Sequence, residues 1–170
     1  DWHRKGLDRL LEAIIIGRTR GLAATLRVIG CPRASLPSHL RHAGGVEWVG
    51  FVDKQTDGQR FLRLVAECDV GCLLSTAEAG GISQREFCAL GLAVLGTDVG
   101  GAPEHRWEQA SITVPARAKA SEIASLLLAL EADLDRLKRA IEYARRHRDR
   151  ALWSETVRQI RVVWQQTSPS

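Results

Sequence analysis

The chain has 170 residues, 45% of them hydrophobic and 26% charged, with a formal net charge of +4. These values suit one globular domain that buries its own core, and they exclude a disordered segment, a collagen-like repeat and a disulfide-dense miniprotein. The mild basicity fits an anionic ligand or a membrane surface, is too weak to argue for nucleic acid, and comes with no aromatic–basic interleaving that would stack bases.

No apolar run is long enough to span a bilayer; the run Leu11–Gly17 contains Glu12 and stops at Arg18. The start, Asp1-Trp2-His3-Arg4-Lys5, leads straight into an amphipathic pattern rather than a secretory signal. There is no Met and the first residue is Asp, which predicts a piece of a longer polypeptide. The cysteines Cys31, Cys68, Cys72 and Cys88 form no Cys-x-x-Cys pair. Cys68 and Cys72 read as buried free thiols, and the set predicts a reducing cytoplasm.

In chain order, Gly6–Ile16 carries Leu7, Leu10, Leu11, Ala13 and Ile14 at helical spacing. Thr25–Ile29 reads as a strand ended by Gly30-Cys31-Pro32, and Ser35–His42 as a short helix. Val46–Phe51 is a second strand and Gln59–Glu67 a helix. Asp69–Leu74 is a continuous apolar strand, followed by a helix over Ile82–Leu90 and a strand over Ala93–Gly96. Gly100-Gly101-Ala102-Pro103 makes a turn before a short strand, Ile112–Val114. Ser121–Arg148 is long and helical with a break near Asp133, and Leu152–Gln165 is a final helix. Strands that alternate with helices and are continuously apolar predict an α/β fold, a Rossmann-like doubly wound parallel sheet with helices on both faces. Ligands of such sheets bind beyond the carboxyl ends of the strands, so the loops at Gly30, Phe51, Ser75 and Thr97 are the ones to watch.

The segment Ser75–Glu86 follows a strand and opens a helix. Its glycines Gly80 and Gly81 let backbone approach a ligand, and the first amides of the helix suit a phosphate. Glu78 and Glu86 can accept paired hydroxyl hydrogen bonds from a diol. The same residues admit plainer readings. Ser83-x-x-Glu86 and Ser75-x-x-Glu78 both match a capping box, Glu78 also reads as a solvated loop carboxylate, and Gly100-Gly101 reads as a turn. Gly-x-Gly-x-x-Gly, the P-loop, His-Glu-x-x-His and Gly-x-Ser-x-Gly are all absent. His39 and His42 share a helix face without a third ligand and read as a surface pair.

The motifs taken together resemble the carboxyl-terminal, donor-binding domain of group 1, GT-B-fold, retaining glycosyltransferases. Lys5-Gly6 through Ala13, Leu26–Gly30, Val46–Val52 and Cys68-Asp69-Val70 through Ser75 follow the family's order and spacing. Glu78 and Glu86 reproduce its Glu-x7-Glu signature, and Gly91–Val94, Thr97, Gly100-Gly101 and Glu104 continue in register. The resemblance implies half of a GT-B fold over residues 1–150, with residues 151–170 a terminal helix that packs toward an amino-terminal domain. It implies a nucleotide-diphosphate-sugar donor. Lys5 would hold the diphosphate, with Gly80, Gly81 and Ile82 in the glycine-rich turn. Glu78 would sit by the transferred sugar and Glu86 on the ribose, with Gly30 and Val52 flanking the donor. Lys5 also reads as a solvated lysine at a helix start. The family transfers sugar with retention and generally without a metal, to an acceptor sugar or a lipid-linked acceptor. That acceptor adds the inner face of a membrane as a second location and gives the arginine-rich Arg136–Arg150 a membrane-facing alternative to a solvated helix face.

The sequence departs from the family at Gly80, which replaces an aromatic residue, and at Phe87, Ala93 and Leu74. A strand ending in Gly-Arg, whose arginine grips the diphosphate, precedes the Lys-Gly pair in the family and is not part of this sequence. Neither is the acceptor-binding domain, so weak nucleotide binding without turnover is expected. Alternatives are a non-catalytic binding module and a sugar-nucleotide epimerase of the same fold. The stripe Trp153, Val157, Ile160 and Trp164 reads as core packing, or as a face that meets the amino-terminal domain.

Overall fold

A computed structural model describes residues 1–105, 107–155, 157, 158 and 161. The side chain of Glu104, and Ile160 and Trp164 of the terminal stripe, lie outside the described residues. The helices are α1 (Leu7–Thr19), α2 (Ser38–Arg41), α3 (Gly58–Ala66), α4 (Ile82–Ala89), α5 (Ala120–Ala132) and α6 (Leu134–His147). The strands are β1 (Leu26–Ile29), β2 (Val46–Gly50), β3 (Val70–Leu73), β4 (Ala93–Thr97) and β5 (Ser111–Val114). The expected long helix is two helices, because Asp133 ends α5 and caps α6 by accepting a hydrogen bond from the Arg136 amide at 3.0 Å. The short helix expected over Ser35–His42 is confined to Ser38–Arg41, after a 3₁₀ turn at Arg33–Ser35.

All strand pairs are parallel, in two ladders, β1-β2 and β3-β4-β5. β4 is paired on both edges and all five of its residues are buried, the burial a parallel central strand requires. Helices cover both faces of its ladder. Val70, Cys72, Leu74, Leu95, Ile112 and Val114 share one face and pack with α1 and α5. On the other face α4 lays Phe87 against Gly71, where an added Cβ would collide with the phenyl ring.

Helix α1 joins the two ladders because its apolar residues point two ways. Leu10 and Ala13 enter the cluster under β3-β4-β5, whereas Leu11, with Leu7 and Ile15 beside it, packs with Val28, Leu36 and Leu40 over β1-β2. Leu26 touches both clusters. Truncating a fully buried leucine such as Leu11 costs about 2–5 kcal/mol. The four cysteines are free; burial pushes the Cys72 thiol up to about 12 and Cys88 to about 11, which makes both poor nucleophiles.

Candidate functional site

The chain enters the site in its first six residues. Gly6 caps α1 at φ 73°, a left-handed conformation, and approaches the Leu74 carbonyl so closely that a Cβ would overlap it. The Thr76 amide donates to the Arg4 carbonyl at 2.9 Å, and Arg4 Nη1 donates to the Ala77 carbonyl at 2.8 Å. The start of the chain is thereby laid along the loop that leaves β3. Arg9 fastens the same corner by donating to the carbonyls of Leu74 and Ala116.

Lys5 and Glu78 meet as a result. Lys5 Nζ lies 2.5 Å from Glu78 Oε2, and the Ser75 hydroxyl donates to the same oxygen at 3.1 Å. Arg4 Nη1 stands 3.9 Å from it. Burial pushes the Glu78 carboxyl upward, but the hydrogen bond and charge of Lys5, the Ser75 hydroxyl and the Gly81 amide outweigh it. The carboxyl is held below the ordinary value. Glu78 is therefore an ionised carboxylate in a nearly closed setting, with only a tenth of its side chain exposed.

Glu86 lies in the second turn of α4, one third exposed. Lys54, from the loop after β2, donates to both of its oxygens at 2.7 and 2.8 Å. The Lys54 ammonium also sits 4.2 Å from the centre of the Phe61 ring. The two glutamates thus have one lysine each, drawn from different parts of the chain. Ser83 lies inside α4 and caps nothing, because the cap is Gly81 at φ 56° with no side-chain hydrogen bond. Ser75 bonds the Glu78 carboxylate directly.

Gly81 and Ile82 open α4, and the side chain of Ile82 is 65% exposed. The loop carrying Glu78 and Gly80 is braced from below. Thr97 Oγ1 donates to the Ser75 carbonyl at 2.6 Å, and the Gly101 amide to the Glu78 carbonyl at 3.3 Å. Gly100, at φ 54°, touches the Glu78 carbonyl so closely that any side chain there would displace it. The Gly100-Gly101 turn is thus part of the site's foundation. Gly30, at φ 88°, follows β1 with open space in front of it, and its amide donates to the Gly50 carbonyl at 2.7 Å. Val52 is buried, so only its backbone could meet a ligand, whereas its neighbour Phe51 is 76% exposed. No group of three His, Cys, Asp or Glu side chains able to hold a metal occurs among the described residues.

Lys5, Glu78 and the start of α4 come together, and Glu86 joins them through α4. Gly30 and Val52 stand at the ends of β1 and β2, with no bond to the glutamates. Sequence reasoning missed Lys54 and Arg4. Lys54 stood in a loop already marked by its position after β2, but nothing in the spacing tied it to Glu86. Arg85 adds a link to the carboxyl end of the chain. It donates to the carbonyls of Ala151 and Leu152 at 2.7 and 3.1 Å and lies over the Trp153 ring at 4.9 Å. Trp153 and Val157 are 73% and 45% exposed, so the described half of the terminal stripe is not buried in this chain.

The family model described as "Glycosyl transferases group 1" matches residues 1–133. A search of curated proteins found no match. Among solved structures, HepE of Anabaena in complex with UDP superposes with a TM-score of 0.73 at 18% identity, over 98% of this chain and 46% of that one. WaaG, a glycosyltransferase involved in lipopolysaccharide biosynthesis, gives 0.69 at 23% identity, over 88% and 40%. The C-terminal domain of LpcC from Francisella tularensis gives 0.66 at 23% identity, over 84% and 76%. The chain spans about half the length of HepE. These likenesses establish the fold, half of a GT-B architecture.

Proposed function

The chain belongs to the group 1 glycosyltransferases, and on that premise we propose that it forms the donor-binding half of a retaining glycosyltransferase that uses a nucleotide-diphosphate sugar. The observation that carries the reading is the Ser75–Glu86 segment. It sets two carboxyl side chains and a helix amino terminus on one rim, each carboxyl answered by a lysine.

Glu86 accepts the ribose hydroxyls, since its two side-chain oxygens offer acceptors to two donors at once. Glu78 faces the transferred sugar and accepts its hydroxyls. The amides of Ile82 and Ser83 and the ammonium of Lys5 receive the diphosphate. This positive charge stabilises the leaving nucleotide as the glycosidic bond breaks, with no metal required. The bond breaks at the anomeric carbon with net retention, and the leaving oxygen stays on the diphosphate. The loop carrying Phe51 and Val52 lies by the base.

The acceptor, a sugar or a lipid-linked sugar, belongs to a domain outside these residues, against which Trp153 and Val157 pack. The isolated chain therefore binds nucleotide but does not transfer sugar. The HepE neighbour, which holds UDP, supports a nucleotide donor. A thermal-shift panel of UDP-, GDP- and ADP-sugars selects the donor. Calorimetry on Glu86→Ala then tests the site: affinity for the selected nucleotide falls at least tenfold, and an unchanged affinity refutes the assignment. Insensitivity of binding to EDTA tests the metal-free reading.

A further inference from the structure

A second, arginine-lined cavity lies away from the glutamates. It has a volume of about 490 Å³, within the usual range for small-molecule sites, and is formed where α6 crosses the segment Glu108–Ile112. Because β3, β4 and β5 run parallel, Ser111 at the start of β5 is at the opposite end of the ladder from Ser75. Arg136, Arg139 and Arg146 project from one side of α6 into this cavity, with Tyr143 between them. Ten residues of helix separate the outer two, about 15 Å at 1.5 Å per residue.

None of these three guanidiniums has an ion pair or side-chain hydrogen bond among the described residues. Arg4, Arg9, Arg27 and Arg85, by contrast, are all engaged. The carboxylates that face the cavity are Glu108 and Glu142, which leaves one positive charge in excess. The Ser111 hydroxyl oxygen is buried in the wall of the cavity without a protein partner. Tyr143 is held in place by stacking on His147 at 4.1 Å between ring centroids and by accepting from Arg150 Nη1 at 3.3 Å. Arg136, Arg139 and Arg146 are exposed, and unpaired guanidiniums spread along a groove suit phosphate or carboxylate groups set several ångströms apart.

We propose that the cavity between α6 and Glu108–Ile112 is a second anion site, for an elongated ligand bearing two or more phosphate or carboxylate groups. Such groups come either from a soluble polyanion or from the headgroups of an anionic membrane.

Two variants of equal charge change test it. One replaces Arg136, Arg139 and Arg146 by Ala; the other replaces Arg20, Lys138 and Arg148, none of which lines the cavity. Each is titrated with inorganic tripolyphosphate in the presence of excess UDP, and sedimented with phosphatidylglycerol and with phosphatidylcholine vesicles. Binding of tripolyphosphate that weakens at least tenfold in the cavity variant alone identifies a soluble anion. Sedimentation with phosphatidylglycerol lost in the cavity variant alone identifies the headgroup. Glu142→Gln tightens whichever probe binds. Equal weakening in both triple variants, or no binding of either probe by the wild type, overturns the proposal. UDP affinity is recorded separately, so failure of the donor reading shows there and leaves this result intact.

Discussion

Lys54 Nζ holds both carboxylate oxygens of Glu86, at 2.7 and 2.8 Å, and so spans from the loop after β2 to the second turn of α4. A ribose that places two hydroxyls on Glu86 competes with that ammonium. Half of the Lys54 side chain is exposed, so the pair is weak and displaceable.

Replacing Lys54 by Met therefore tightens binding of the neutral nucleoside of the preferred donor by about two- to fivefold, within the worth of about 1 kcal/mol expected for such a pair. The nucleoside isolates the effect from any contact to phosphate. Calorimetry with weaker nucleoside binding in Lys54→Met would show that Lys54 aids the ligand directly.

Lys5 and Glu78 make a prediction in pH. The folded chain holds the Glu78 carboxyl below its ordinary value of 4.5, so the unfolded chain binds its proton first. The resulting stability is complete above that value and fades as the pH falls through the lower folded value. Urea melts should show the wild type losing its advantage over Glu78→Gln as pH drops below about 4, the ordinary carboxylate range. An advantage that stays constant from pH 7 to pH 3 contradicts the pairing.

Glycine substitutions separate backbone strain from close contact. Gly30→Ala meets open space and carries only the cost of a left-handed alanine, about 1 kcal/mol. Gly6→Ala adds an overlap with the Leu74 carbonyl and should cost at least about 3 kcal/mol, with loss of nucleotide binding as Lys5 is displaced. Equal melting temperatures for the two variants would remove Gly6 from the foundation of the site.

Gln84 is fully buried on α4, and neither end of its amide has a protein partner. Leaving a buried polar group unsatisfied costs about 1–3 kcal/mol. Gln84→Met should raise the melting temperature without weakening nucleotide binding. A lower melting temperature would mean that the amide is satisfied in solution by ordered water.

The sequence made the strand–helix alternation legible because β3 and β4 are short, continuous apolar runs bounded by turns, and α1 repeats its leucines at helical spacing. The break at Asp133 was also readable, since an aspartate between two helical runs is a capping residue. The division of the strands into two ladders was not readable, because hydrophobic pattern reports burial rather than pairing. Glu78 and Glu86 were singled out by motif register, and Gly81 by the turn that register requires. Lys54 was hidden because the contact to Glu86 spans 32 residues and is made by a single flexible side chain. The capping reading of Ser83 failed for a local reason: a left-handed glycine at position 81 starts α4 two residues earlier, which puts Ser83 inside the helix.

The most direct test of the donor site is amide chemical-shift mapping of the isotope-labelled chain on addition of the preferred nucleotide diphosphate. The account predicts the largest changes at Gly81, Ile82 and Ser83, with smaller ones in the loop carrying Phe51 and Val52. Saturable binding that leaves those amides unmoved and shifts residues elsewhere would contradict it.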